Sequence, residues 1–127
     1  MRGPFNVLLI DDCEPVRDSL REYLTDCGWT ARGAESADAA FGQLEAEPAD
    51  VVVVDLRLPG LGGEGFIRQA SLRWPKTRYL IFTGSADYEM ARDLAANPSV
   101  VGEVLLKPLL DLNVLVQAIE KAMGEVR

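Results

Sequence analysis

The sequence predicts an open α/β domain built on a parallel sheet, and three observations predict it. Short apolar runs alternate five times with segments of helical spacing. The third run, Val51-Val52-Val53-Val54, is β-branched and does not alternate with polar residues. Acids, a hydroxyl and an ammonium group follow the runs. Alternation of strand and helix implies right-handed crossovers that lay helices on both faces of one sheet. A run without alternation is what a strand covered on both faces requires.

The apolar runs at 5–10, 29–32, 51–54, 79–82 and 100–106 are the expected strands. After the first, Val16, Leu20, Tyr23, Leu24 and Cys27 form one stripe of a helix. Pro15 suits its first turn and Gly28 its end. Ser36 is placed to cap a second helix carrying Ala40, Phe41 and Leu44, which stops before Pro48. Phe66, Ile67 and Ala70 mark a third, ending before Pro75. The fourth, expected over about 87–96, is Ala-rich and weakly amphipathic, with Asn97-Pro98 as its stop. Leu112, Leu115, Val116, Ile119 and Met123 give the last helix an apolar face.

A chain of 127 residues has the size of a single domain, and no linker, repeat or low-complexity tract divides residues 1–127. A balance of 48% hydrophobic and 26% charged residues is that of a globular protein. The net charge of −7 argues against nucleic acid as a direct partner, since phosphate backbones would be repelled. No apolar run approaches the roughly 20 residues needed to cross a bilayer, so membrane insertion is not expected. Met1-Arg2-Gly3-Pro4 leads straight into a strand-like run without a signal-peptide pattern. With no His and only Cys13 and Cys27, a zinc site lacks its usual ligands, and reduced thiols in a cytoplasmic protein are the expectation.

Asp11 and Asp12 follow the first strand, Asp55 the third, Thr83 the fourth and Lys107 the fifth. Ligands of open α/β sheets bind at the carboxyl ends of the strands, so these residues should converge on one edge. Two carboxylates roughly 5 Å apart repel by about 3 kcal/mol at an effective dielectric of about 20. A hard divalent ion removes that conflict, and Mg²⁺ suits it because it takes one or two carboxylates and keeps positions for water and phosphate oxygens. Lys107 offers a positive charge to an incoming phosphoryl group and the Thr83 hydroxyl a donor. Asp55 is the natural nucleophile, since a carboxylate can form an acyl phosphate.

The pattern Leu9-Ile10-Asp11-Asp12, Asp55-Leu56-Arg57-Leu58-Pro59-Gly60 with Gly63, Thr83-Gly84 and Lys107-Pro108 resembles the receiver domain of bacterial two-component response regulators. The resemblance covers nearly the whole chain, with its motifs in order. It implies a flavodoxin-like (βα)5 doubly wound sheet of strand order 2-1-3-4-5 in three α/β/α layers. It implies phosphorylation of Asp55 by a histidine kinase or histidine phosphotransfer protein, with Asp11, Asp12, Asp55 and the backbone carbonyl of Arg57 holding Mg²⁺. Lys107 would pair with the phosphoryl oxygens, Thr83 would swing toward them, and the Lys107-Pro108 bond would be cis. The output would be a contact with a downstream protein or a covalently linked output domain, through the surface of the fourth helix, fifth strand and fifth helix. The domain would be a phosphoacceptor that assists its own phosphorylation and dephosphorylation, not a conventional enzyme.

Three features depart from the family pattern. Val104 stands three positions before Lys107, where an aromatic residue is common, and residues 97–100 replace the commoner Gly-Ala entry to the fifth strand. Gly62 and Gly65 enrich the turn at 60–65 in glycine, which raises the cost of ordering it and predicts mobility there. Taken singly, the site residues have ordinary readings. Asp11-Asp12 can favour a helix dipole, Asp55 can cap a turn, Thr83-Gly84 is a common turn pair and Lys107 can be a solvated charge. Cys13 beside the acids is disfavoured as thiolate and reads as incidental. A pseudo-receiver that works as a phosphorylation-independent interaction module is the alternative function. A haloacid-dehalogenase-type phosphatase would want an acid where Arg57 stands, and a dinucleotide or P-loop enzyme would want a glycine-rich first turn where Asp11-Asp12-Cys13-Glu14-Pro15 stands.

Overall fold

In the computed structural model, which describes residues 3–124, ten elements follow one another. They are β1 (Asn6–Ile10), α1 (Glu14–Asp26), β2 (Thr30–Ala34), α2 (Ala37–Ala46), β3 (Val51–Asp55), α3 (Gly62–Arg73), β4 (Arg78–Thr83), α4 (Arg92–Ala95), β5 (Leu105–Leu106) and α5 (Asn113–Gly124). The strands form one parallel sheet in the order β2-β1-β3-β4-β5. That is the flavodoxin-like order the motifs implied.

Side-chain alternation along the strands divides the core into two layers. Leu8, Ile10, Val52, Val54 and Ile81 face the layer built by Ala40 and Leu44 of α2, Phe66, Ile67 and Ala70 of α3, and Leu94 of α4. Val7, Leu9, Val51, Val53, Leu80 and Phe82 face Leu20 and Leu24 of α1 and Leu115, Val116 and Ile119 of α5. Both faces of β3 are therefore covered, and all five of its residues are buried. Its unbroken valine run follows from that placement, each buried valine stabilising the fold by roughly 1.5–3 kcal/mol.

Helix ends obey local chemistry. Pro15 lies in the first turn of α1, and the Oγ of Ser36 accepts the N–H of Ala39 at 3.1 Å to cap α2. Gly62, Gly63 and Gly65 lie in the first turn of α3, and Gly60 precedes it. Gly62 is its first residue, and the N–H of Gly63 donates to the carbonyl of Leu56 at 3.1 Å.

Two expectations need correction. The fourth helix is a single turn at Arg92–Ala95, not 87–96. Tyr88 and Met90 both pack on the core while Glu89 between them is exposed, and Ala91 is extended (φ −59°, ψ 149°). A two-residue alternation anchored by tertiary contacts thus overrides the helix propensity of an Ala-rich segment. The fifth strand is also shorter than 100–106. Val100 bridges Tyr79, but Gly102 turns the chain at φ +77°, and regular pairing resumes only at Leu105 and Leu106.

Candidate functional site

Register places the acids. Ile10 of β1 pairs with Val54 of β3, so the following residues, Asp11 and Asp55, emerge side by side at the carboxyl edge of the sheet. Asp55 in turn pairs with Phe82, which puts Thr83 at the same edge, and the N–H of Lys107 donates to the carbonyl of Thr83 at 2.8 Å. One oxygen from each of Asp11, Asp12 and Asp55 lies within 4.8 Å of the others. Asp11 and Asp55 are buried and Asp12 is exposed, so the cluster opens to solvent on one side.

Lys107 holds the two buried acids together. Its Nζ donates to Asp11 Oδ2 at 2.6 Å and lies 3.3 Å from Asp55 Oδ2. The ammonium also sits 5.0 Å from the centre of the Phe82 ring. The peptide bond between Lys107 and Pro108 is cis, as the motif implied. Asp11 Oδ1 accepts the N–H of Cys13 at 2.9 Å, and Asp55 Oδ1 accepts the N–H of Arg57 at 3.1 Å. Each acid thereby closes the turn that follows its own strand.

The electrostatics follow from burial and pairing. Burial pushes the Asp55 carboxyl above its ordinary value, and the Asp11 charge adds to the rise. The Arg57 N–H and the Lys107 charge oppose it without cancelling it. Burial works against the Lys107 ammonium, but its hydrogen bond to Asp11 and the charges of Asp11 and Asp55 outweigh that and hold it above its usual value. Three hard carboxylate oxygens converge where one ammonium faces two buried acids, which is the donor set that suits Mg²⁺.

Thr83 is buried, and its Oγ1 accepts the N–H of Ser85 at 3.1 Å. The hydroxyl proton is thereby left over for a further acceptor. The Arg57 side chain is exposed. Tyr88, Met90 and Val104 are half-buried against the core layer that α2, α3 and α4 cover. The Tyr88 hydroxyl donates to Glu64 Oε2 at 2.7 Å, and Arg68 makes two bonds of 2.7 and 3.1 Å to Asp93, so two polar ties bind the segment 84–93 to α3.

Gly63 belongs to the motif read from the sequence, but its role shows only in the structure: a Cβ there would lie 2.5 Å from the Asp55 carbonyl oxygen and 2.7 Å from the Leu56 Cα. Sequence reasoning missed Glu64 and Arg17, whose Nη1 donates to the Asp11 carbonyl at 2.7 Å. The available signal was Gly33, directly after the run 29–32 and inside β2, since a glycine within a strand marks a close approach.

A parallel (βα)5 sheet with an acid cluster and a lysine at its carboxyl edge defines an open, doubly wound α/β domain with its charged site where such sheets bind ligands. Comparison with known proteins sharpens the class to a family. Residues 7–120 match the response regulator receiver domain family, and the chain belongs to it. It is 34% identical over 104 residues to the hydrogenase transcriptional regulatory protein HoxA of Cupriavidus necator, covering 80% of this chain and 21% of that protein. It is 31% identical over 118 residues to the transcriptional regulatory protein FixJ of Rhizobium meliloti, covering 93% of this chain and 56% of that one. The chain thus spans from about a fifth to about half the length of these two relatives. Among solved structures, a response regulator receiver domain from Clostridium thermocellum superposes with a TM-score of 0.80 at 26% identity, covering 94% of both chains. The receiver domain of NtrX from Brucella abortus superposes at 0.82 and 24% identity, covering 94% of this chain and 99% of that one, and shares the fold.

Proposed function

We propose that Asp55 is the phosphoacceptor of this receiver domain, taking a phosphoryl group from a phosphohistidine on a histidine kinase or histidine phosphotransfer protein. The observation that carries the reading is the buried Asp55 carboxylate at the end of β3, faced by Asp11, Asp12 and the Lys107 ammonium. An Asp55 carboxylate oxygen attacks phosphorus as the P–N bond to the donor imidazole breaks, and the departing nitrogen keeps its electron pair and takes a proton from solvent. Lys107 exchanges its contact with Asp55 Oδ2 for a phosphoryl oxygen while keeping Asp11. The Thr83 hydroxyl, its oxygen already accepting from Ser85, donates a hydrogen bond to another phosphoryl oxygen and keeps its proton.

Asp11, Asp12, Asp55 and the Arg57 carbonyl would hold Mg²⁺, which when bound supplies charge neutralisation for the phosphoryl oxygens. Movement of Thr83 toward the phosphoryl group draws on residues 84–91 and shifts the surface carrying Tyr88, Met90 and Val104. That surface is read by a downstream protein or a linked output domain, and the cytoplasm is the setting the function requires. The full acceptor set disfavours a phosphorylation-independent module.

Intact mass after incubation with acetyl phosphate tests the assignment. Wild type gains one phosphoryl group only with Mg²⁺, and Asp55→Ala gains none. A wild type that stays unmodified, with both acetyl phosphate and a phosphorylated histidine protein as donors, overturns it. Replacing Tyr88 or Met90 with Asp weakens binding of the phosphorylated domain to its output partner and leaves phosphorylation intact; unchanged binding removes that surface from the scheme.

A further inference from the structure

The acid cluster is held in place by a residue outside it. Asp11 is engaged at all four of its polar atoms. Its N–H donates to Ala34 at 3.1 Å, its Oδ1 accepts from Cys13 and its Oδ2 from Lys107. Its carbonyl lies just past the last β1 residue, and it accepts the Arg17 guanidinium at 2.7 Å.

Arg17 reaches that carbonyl from the first turn of α1 only because its stem crosses β2 at Gly33. A Cβ on residue 33 would stand 2.9 Å from Arg17 Cδ, 3.0 Å from Cγ and 3.3 Å from Nε. Those are atoms in the middle of the side chain, so it could not bend aside and still place Nη1 on Asp11. The Arg17 side chain is only 14% exposed, and its ion pair with Glu14, at 3.8 Å, is too long to determine its course. Gly33 itself is fixed by pairing with Leu9 and by the Gln43 amide, which donates to its carbonyl at 2.6 Å.

We infer that Arg17, laid across Gly33, is a positioning residue that preorganises the cation site by clamping the Asp11 backbone. This rests on the reading that Asp11, Asp12 and Asp55 hold Mg²⁺. The clamp makes a prediction of opposite sign to simple electrostatics. A guanidinium near three carboxylates repels an incoming cation, so by charge alone its removal tightens Mg²⁺ binding. By positioning, its removal loosens binding, because one charge-assisted hydrogen bond no longer orders the donor set.

The test is Mg²⁺ titration calorimetry of the intact chain for wild type, Arg17→Met, Arg17→Lys, Gly33→Ala and the double variant Arg17→Met/Gly33→Ala. Hydrogen exchange at the Cys13 N–H is followed in the metal-free proteins alongside. Arg17→Met keeps a stem over Gly33 and should weaken Mg²⁺ binding about tenfold and lower Cys13 protection by a similar factor. Arg17→Lys should recover part of both. Gly33→Ala should weaken binding, and the double variant should be no worse than Arg17→Met, since no guanidinium is left to displace. Unchanged or tighter Mg²⁺ binding by Arg17→Met overturns the inference, as does additivity in the double variant. If wild type binds no Mg²⁺, the proposed function fails, and Cys13 protection decides the clamp alone: a fall in Arg17→Met upholds it and no change overturns it.

Discussion

β3 is buried along all five of its residues, whereas β5 pairs with β4 through only Leu105 and Leu106, and α4 beside it is a single turn. The acids stand on the first kind of structure and the expected output surface on the second. Asp11 and Asp55 are fixed by strand register, by the turns they close and by Lys107. The segment 84–93 carries no regular structure before Arg92 and is tied to α3 by Tyr88–Glu64 and Arg68–Asp93. Chemistry that depends on placement needs the rigid half, and a surface that must change shape is drawn from the part with low local stability.

That contrast can be broken most severely at Lys107. Lys107→Met leaves Asp11 and Asp55 facing each other without a cation and should cost about 3 kcal/mol at neutral pH, measured by urea unfolding in the absence of metal. Acidification should restore most of the loss. Gly63→Ala comes next, at about 2 kcal/mol, because its Cβ meets backbone at Asp55 and Leu56 that cannot swing away.

Asp55→Asn should act in the opposite direction. With its carboxyl raised above the unfolded value, the folded state holds more protons than the unfolded one between 3.8 and its own raised value, so stability falls as pH rises through that window. The amide removes that fall. Metal-free Asp55→Asn should therefore melt above wild type at neutral pH and converge with it in acid, and saturating Mg²⁺ should raise the wild type selectively. Lys107, whose value is raised, contributes stability that is present at neutral pH and is lost only as pH climbs through its folded value.

The smallest effects sharpen the other half. Tyr88→Phe deletes one hydrogen bond and should cost about 1 kcal/mol or less globally, while exchange at 84–91 accelerates and exchange at 51–55 does not. Asp93→Asn loosens an exposed pair and should leave global unfolding unchanged while adding to the same local acceleration. Exchange at 60–65 separates two readings of the glycines: fast exchange fits a mobile turn, and slow exchange at 62–65 fits the helix start that the Gly63–Leu56 bond anchors.

How much of this was legible beforehand depended on the range of the interaction. The order of elements, the capping Ser36, the doubly covered β3 and the convergence of Asp11, Asp55 and Lys107 were legible because periodicity, caps and strand ends are written in adjacent residues. The strand order came through the resemblance of the motifs and not through periodicity. α4 and β5 were misjudged in extent because their ends are set by distant partners. Tyr88 and Met90 are pulled onto the core in extended spacing, and Gly102 turns against Leu80.

By itself, then, the sequence determined an alternating α/β chain with three acids, a threonine and a lysine at its strand ends. Tertiary structure alone decided that Lys107 spans Asp11 and Asp55, that Gly33 clears a path for Arg17, and that Gly63 lets α3 close on Asp55. The reason is physical. Helical and strand periodicity record which side of an element is buried, but contacts of 2.6–3.3 Å between residues as far apart as Asp11 and Lys107 exist only once register and packing bring their strands together.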